Sequence, residues 1–467
     1  MHRAQRRLTI VIVVALLPLA ACGARWNSAQ RTEIRNRVGT GRVASQSTGS
    51  GAGDTAGDSS GADATGSAGN SSSALSSGGA TATGNGAVSS ASKKLPCAAP
   101  SKEVGVTDST ITIGSISSLT GPVPGLGASA AGAARSYVAY RNATGGVCGR
   151  KIVLTEADDG TDNGHYRSII TDFSSQVFGV AGGFALGDVG GVDVIRQTKI
   201  PLVYNPGQQA TRDLPTVFPM NTHFEHENSV VLGKYKWLHD HGATKASVTY
   251  QAVDQSRAEA NVQEQLMKNA GIQVVQVQEL PLSTLSYDSA ARGVANSGAD
   301  YLLFIGAVDA NQSMARSMKD TGYKLKWAEY YVYSYGTNFI QATGDAGEGA
   351  ITWLRTLPIE EANQNKEVGA FASWMARVAP DDDRDAFAED SWAGAKAFFD
   401  NLEAIPGSIT RAAFVSQLAS VAIYDAGGLL GPIELGKKFS QGCVVGMQVQ
   451  NGTWKRLFPA SGFTCIA

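Results

Sequence analysis

From Thr110 onward the chain alternates between two hydrophobic patterns. Short runs rich in β-branched and apolar residues, TITIGSIS at 110–117 and KIVLTEA at 151–157, read as strands. Between them GASAAGAARSYVAYRNA (127–143) reads as a helix that stops near Gly145-Gly146. The alternation continues with HYRSIITDFSSQVF (165–178) as helix, VFGVAGG (177–183) as strand, and VGGVDVIRQT (189–198) leading to IPLVYN (200–205). It resumes with NSVVLGKYKWLHDHG (228–242), KASVTYQ (245–251), RAEANVQEQLMKNAG (257–271), IQVVQVQEL (272–280), SAARGVANSG (289–298) and ADYLLFIGA (299–307). Strands separated by helices of this length predict an α/β fold of mostly parallel sheets with helices on both faces. Such sheets place ligands in the loops at the carboxyl ends of their strands.

The order of these motifs carries a resemblance. The stretch ITIGSISSLTGPVPGLGASAAGAARSYVAYRNATGGVCGRKIVLTEADDGTD (111–162) resembles the opening of the leucine/isoleucine/valine-binding proteins. It has their strand, Leu-Thr-Gly-Pro loop, Ala/Gly-rich helix, Gly-Gly-x-x-Gly-Arg turn and paired aspartates, in their order. IPLVYNPG (200–207) resembles the strand and loop that close that family's first half, and the likeness runs over roughly residues 106–459. It implies a two-lobed type I periplasmic-binding fold with three hinge crossovers, closing on a small ligand. Lobe 1 is then expected at 96–225 plus 365–430, and lobe 2 at 226–364 plus 431–467. The family implies an extracytoplasmic receptor that hands its ligand to an ABC permease, so no catalytic residue, cofactor or metal is expected and the chain should act as a monomer.

Carried over position by position, the resemblance assigns ligand contacts to loops at the strand ends. In lobe 1 these are Leu126, then Ala185, Leu186 and Asp188 of GGFALGD, then Gly207, Gln208 and Gln209 of NPGQQAT. In lobe 2 they are Asp254, Asp309, Tyr333 and Tyr335. The family has Ser- and Thr-rich loops where this chain reads FALGD and PGQQ. The ligand is accordingly expected to be amino-acid-like or another small polar solute. Amides, peptide fragments and aromatic compounds also suit the tyrosines and glutamines. A ligand ammonium needs a buried carboxylate, for which Asp188, Asp254 and Asp309 are the candidates; each is equally placed to cap a helix.

The N-terminus sets the compartment. Arg3, Arg6 and Arg7 precede a short apolar run that ends in Leu19-Ala20-Ala21-Cys22, the pattern of a signal peptide over residues 1–22. It is shorter than the ~20 residues a membrane span requires. The ending resembles a bacterial lipobox, which implies lipidation of Cys22 and attachment to the outer face of the membrane. Residues 23–95 follow as a tether, almost wholly Ser, Gly, Ala and Thr from Ala44 to Ser92. That composition cannot bury enough apolar surface to offset its backbone entropy and predicts disorder, with an end-to-end span on the order of 40 Å. A formal net charge of -2 gives no basic footprint for nucleic acid.

Besides Cys22 there are Cys97, Cys148, Cys443 and Cys465, an even number in an exported chain. Three connectivities exist; the pairs Cys97–Cys148 and Cys443–Cys465 are favoured because each brackets a local supersecondary unit.

Other motifs lead to weaker chemistry. Gly125, Gly127 and Gly132 open a helix after a strand, but the third glycine falls two positions late for a dinucleotide fingerprint. His223 and His226 with Glu225 or Glu227 suggest a weak metal site at the start of a helix, while His239 and His241 lie ~20 Å further along it. Asp381-Asp382-Asp383 lacks the calcium-loop spacing and reads as a solvated loop. Two other function classes remain beside the importer receptor. One is a ligand-sensing module of the same fold that signals to a membrane partner; the other is an exported cell-wall or redox enzyme, for which no nucleophile–base set is visible.

Overall fold

The computed structural model describes residues 96–220, 230–440 and 442–465. Cys22, the expected signal peptide and tether, and His223 and His226 lie outside these residues. The described residues all fall in one compact unit, Val88–Ala467.

The first sheet is built from β1 (Thr110–Ser117), β2 (Lys151–Asp158), β3 (Val180–Ala185), β4 (Leu202–Pro206) and β5 (Val217–Pro219), in the order β2-β1-β3-β4-β5. All its pairings are parallel. Helices α1 (Ala128–Ala143), α2 (Asn163–Gln176), α3 (Val192–Thr198) and the single turn α4 (Gln209–Arg212) connect its strands. The chain then enters a second sheet through α5 (Val230–Asp240). That sheet alternates β6 (Lys245–Gln251), α6 (Asp254–Asn269), β7 (Gln273–Leu280), α7 (Asp288–Ser297), β8 (Tyr301–Ile305), α8 (Val308–Thr321), β9 (Trp327–Tyr330), α9 (Thr337–Thr343) and β10 (Ala350–Leu354).

The chain next returns to the first sheet as α10 (Lys366–Val378), α11 (Ala386–Glu403) and α12 (Arg411–Ser420), followed by a small hairpin, β11 (Ile433–Glu434) and β12 (Phe439–Ser440). The hairpin turn stays on that side, where Lys438 Nζ donates to the Arg212 and Leu214 carbonyls. A last passage brings β13 (Val445–Gln450) and β14 (Thr453–Phe458) antiparallel onto the second sheet, giving β14-β13-β10-β9-β8-β6-β7.

The alternation of periods in the sequence is therefore the alternation of elements in the fold, and parallel strands with crossover helices follow from it. Helix α11 is the exception to surface-helix amphipathicity. Nearly all of AFAEDSWAGAKAFFDNLE is buried, because the helix lies against α1, β3 and β4. Trp392, fully buried, sits edge-on to Tyr137 of α1 with centroids 4.8 Å apart. Removing an aromatic side chain from such a place costs about 3–5 kcal/mol.

The turn after α1 is scaffold. Gly146 takes φ 75°, and a Cβ there would lie 2.1 Å from the Arg150 carbonyl oxygen. Arg150 is buried and donates to the carbonyls of Cys97, Ala99, Thr107 and Cys148, tying the start of the described chain to the turn. Cys97 is joined to Cys148, and Cys443 to Cys465. The first bridge closes a separation of 51 residues. In the chain-entropy account a loop of that length contributes about 4 kcal/mol. The double variant Cys97→Ser/Cys148→Ser should lose about that much unfolding free energy in denaturant titration. A loss below about 1 kcal/mol would show that Arg150 holds the turn without the bridge.

Candidate ligand-binding cleft

A cleft of about 580 Å³, its open mouth included, lies between the two sheets at the carboxyl ends of their strands. The first lobe contributes Val123, Leu126, Phe184 and Leu186. The second contributes Gln251, Val253, Gln255, Ser256 and Glu259 from the end of β6 and the first turns of α6. Leu282, Ile305, Gly306, Ala307, Tyr331 and Tyr333 complete the wall.

Phe184 reaches the cleft because β3 is bulged: Gly182 and Gly183 adopt φ 68° and 92°, and the register with β4 shifts between Ala181 and Phe184. A Cβ on Gly183 would fall 2.4 Å from the Ile116 carbonyl oxygen, so the bulge needs glycine there. Phe184 packs on Phe387 of α11 at 4.4 Å, and Tyr333 of the second lobe stacks on Phe387 at 4.0 Å. This trio joins the lobes at the base of the cleft. Nearby, Asp383 accepts from the amides of Thr337 and Asn338 at the start of α9, and Asp382 pairs with Arg135 at 3.2 Å. The aspartate run expected to be a solvated loop is thus a tie between helices of both lobes.

The carboxyl edge of the first sheet carries three aspartates of its own. Asp158 accepts from the amides of Leu119, Thr120 and Gly160 and from the Thr120 hydroxyl. Burial works against its charge, but these donors hold the carboxyl below its ordinary value. Asp159 accepts from the Ser118 hydroxyl and from the amides of Thr161 and Gly187. Asp188 accepts from Gly207 N at 2.7 Å, Gln208 N at 3.4 Å and the Tyr204 hydroxyl at 3.1 Å. Burial pushes its carboxyl up to about 7 against those donors. The turn that presents it is packed on α2 so closely that a Cβ on Gly190 would meet the Asn163 oxygen at 1.8 Å.

Of the contacts expected from sequence, Leu126, Leu186 and Tyr333 line the cleft. The ammonium-partner role does not fit the three aspartates. Asp188 is wholly buried and engaged by backbone donors. Asp254 is solvent-exposed and paired with Arg257 at 2.8 Å. Asp309 is exposed in the first turn of α8. Tyr335 is buried below the wall, where its hydroxyl donates to Glu360 and accepts from Ile359 N. Ala185 ends β3 beside Pro206, Gly207 belongs to the Asp188 nest, and Gln209 is tied to Asp213. Neither these three nor Gln208 is among the residues lining the cleft.

The second-lobe wall is backed by a polar network. Glu259, only 4 % exposed, accepts from Gln263 Nε2 at 2.6 Å and from the Tyr331 hydroxyl. Gln263 accepts in turn from Tyr235. Tyr301 donates to Glu329 at 2.6 Å, and Glu329 pairs with Lys234 at 2.7 Å. Burial pushes the Glu259 carboxyl up to about 7, opposed by its hydrogen bonds and by Lys234 and Arg355. Arg355 lies 3.6 Å from Asp390, which also accepts from Asn205.

Two parallel-type lobes, three passages between them and a cleft at the strand ends agree with one protein family. The profile of the periplasmic binding proteins matches residues 110–453. The chain belongs to that family. Like other periplasmic binding proteins of type I, it resembles receptors of ABC importers. The Leu/Ile/Val-binding protein homolog 7 of Brucella abortus (strain 2308) is 24% identical over 373 residues, covering 75% of this chain and 91% of that protein. A fatty acid ABC transporter substrate-binding protein from Thermomonospora curvata superposes with TM-score 0.66 at 21% identity, covering 78% of this chain and 94% of that one. An ABC transporter solute-binding protein from R. palustris, in complex with benzoate, gives 0.64 at 16% identity, covering 76% and 98%. Among the described residues no helix of this periplasmic binding protein is long and apolar enough to cross a membrane, and no cluster of three metal-ligating side chains occurs.

Sequence reasoning missed Phe184, Tyr331 and Glu259. The first two stand inside the loops already singled out, one residue before Ala185 and two before Tyr333. Glu259 had no signal, being one acid among several polar residues of α6.

The raised carboxyls of Asp188, Glu259 and Asp385, each about 7, bind protons more tightly in the folded chain than in the unfolded one. Their stabilising contribution is full below the ordinary carboxylate value of about 4 and is lost as pH rises through about 7. The thermal midpoint should therefore be higher at about pH 5.5 than at about pH 8. Asp188→Asn should lower the midpoint and flatten that slope; an unchanged slope would show that Asp188 stays ionised in the fold.

Proposed function

We propose that the protein is the extracytoplasmic solute-binding receptor of an ABC importer, working as a monomer tethered to the membrane through a lipid on Cys22. In this reading the lipoprotein signal of residues 1–22 is cut ahead of Cys22, which stays as the lipid-bearing N-terminus, and 23–95 act as the spacer. The protein makes and breaks no bond: it captures a small molecule between two lobes and presents it to a permease.

The observation that carries the reading is the interlobe cleft, walled by Leu126, Phe184 and Leu186 on one side and Ile305, Tyr331 and Tyr333 on the other. A concave, mostly apolar wall with a few fixed polar groups is the usual form of a small-molecule site. It supports a solute with an apolar body and one polar head over a zwitterionic amino acid. A fatty acid and benzoate, named for two proteins of similar fold, share that outline.

Thermal unfolding against apolar-bodied acids, amines, alcohols and amides tests this. A ligand present at about 100 times its Kd should add about 2.7 kcal/mol of stability. Leu126→Asn, which sets an uncharged polar group against the apolar wall, should weaken the same ligand by at least about tenfold, or about 1.4 kcal/mol. If no compound moves the midpoint, the receptor reading fails.

A further inference from the structure

We propose that the ligand's head is a protonated amine seated on Glu259, and that the solute is an alkyl- or arylamine without a carboxylate. This rests on the receptor reading above and specifies the chemistry of the same cleft.

The first-lobe wall of the cleft offers little to hold an anion. An anionic head needs convergent N–H donors or a cation. The amides of Leu119, Thr120, Gly187, Gly207 and Gln208 at the edge of the first sheet are taken by Asp158, Asp159 and Asp188. The Leu186 amide is taken by the Ser118 hydroxyl. None of the described residues that line the cleft is Lys, Arg or His. On the first-lobe side a carboxylate placed here would face apolar carbon, and no cation among the described lining residues would balance its charge beside Glu259.

The second-lobe wall offers a carboxylate. Glu259 is the one carboxylate among the described lining residues, and it is held by hydrogen bonds from Gln263 and Tyr331. The charged groups behind the wall are Lys234 from α5, Glu329 from β9, Arg355 after β10, Asp390 from α11, and Arg212 with Asp188 from the first lobe. Once Glu259 and Asp188 are both ionised, these groups make three cations and four carboxylates, one negative charge in surplus. Tyr235, Tyr331 and Tyr333 also face this cluster and are held neutral, burial raising each hydroxyl further above its ordinary value. A cation seated on Glu259 balances that charge. The rings of Tyr331 and Tyr333, 5.1 Å apart and crossed at 77°, add aromatic faces that favour a cationic nitrogen. The apolar body then lies against Leu126, Leu186 and Phe184.

The sign of the pH response distinguishes this from the acid alternative. An ammonium binds the ionised Glu259, so its affinity rises with pH through about 7. A carboxylate ligand would require Glu259 protonated and would bind better as pH falls. Calorimetric titration of the full chain with n-hexylamine, hexanoate, hexanol and leucine, at several pH values, reads this directly. Hexylamine should bind most tightly, gaining about twentyfold from about pH 5.5 to about pH 7.5. Leucine and hexanoate should be at least about tenfold weaker. Glu259→Gln should lose at least about thirtyfold in hexylamine affinity and its pH dependence, while retaining hexanol, which shows the cleft intact. Tighter binding of hexanoate or leucine than of hexylamine, an affinity that falls with pH, or an unaffected Glu259→Gln variant each overturns the proposal and leaves the receptor reading standing. If no compound binds, hexanol included, both fall.

Discussion

The carboxyl edge of the first sheet is organised by aspartates that turn inward to the backbone. Strand ends in a parallel sheet leave amides pointing into the crevice, and an amide buried without a partner costs about as much as a lost hydrogen bond. Asp158, Asp159 and Asp188 meet that requirement internally, each collecting two or more donors from neighbouring loops. The loops are thereby locked to one another: β1 to β2 through Asp158, β2 to β3 through Asp159, and β3 to β4 through Asp188. The consequence for the cleft is chemical as well as mechanical. With its amides engaged, the first lobe presents mainly carbon to the ligand.

The second constraint is the return of the chain to the first lobe as α11. Because this helix is buried around most of its circumference, its polar residues must find partners inside. Glu389 is paired with the Thr356 hydroxyl and Asp390 with Asn205 and Arg355. Thr356 and Arg355 belong to the segment that crosses from β10, so the helix anchors the crossing as well as the first lobe. At its start, Asp385 accepts from Ala388 N and from Ser129 of α1, while Phe387 packs on both Phe184 and Tyr333. The base of the cleft is the place where these ties converge. A binding protein that closes about a hinge needs such a fixed floor beneath movable walls.

Much of the fold was legible in one sequence because side-chain period reports secondary structure directly. TITIGSIS and KIVLTEA became β1 and β2 within a residue, and GASAAGAARSYVAYRNA became α1, since nothing in the tertiary structure competes with those local patterns. The favoured cysteine pairs are also the ones joined. The site was legible only as a set of loops. Asp188 stood in the right loop and was expected to meet a ligand, but its backbone partners, Gly207 and Gln208, come from the next strand end. No spacing along the chain announces that a carboxylate will satisfy amides nineteen or twenty residues away.

What the sequence by itself determined is the succession of strands and helices, the pairing of local cysteines and the class of fold, all consequences of short-range period and turn chemistry. Tertiary structure alone decided which acids face the ligand. Glu259 sits on a helix whose mean composition is polar, and only the packing of α6 against α5, with Lys234, Tyr235 and Tyr331 converging, turns this acid into a buried wall residue while leaving Asp254 in water. The physical reason is that the charge state and role of a carboxyl depend on desolvation and on partners from distant segments. Neither quantity is encoded in the residues beside it.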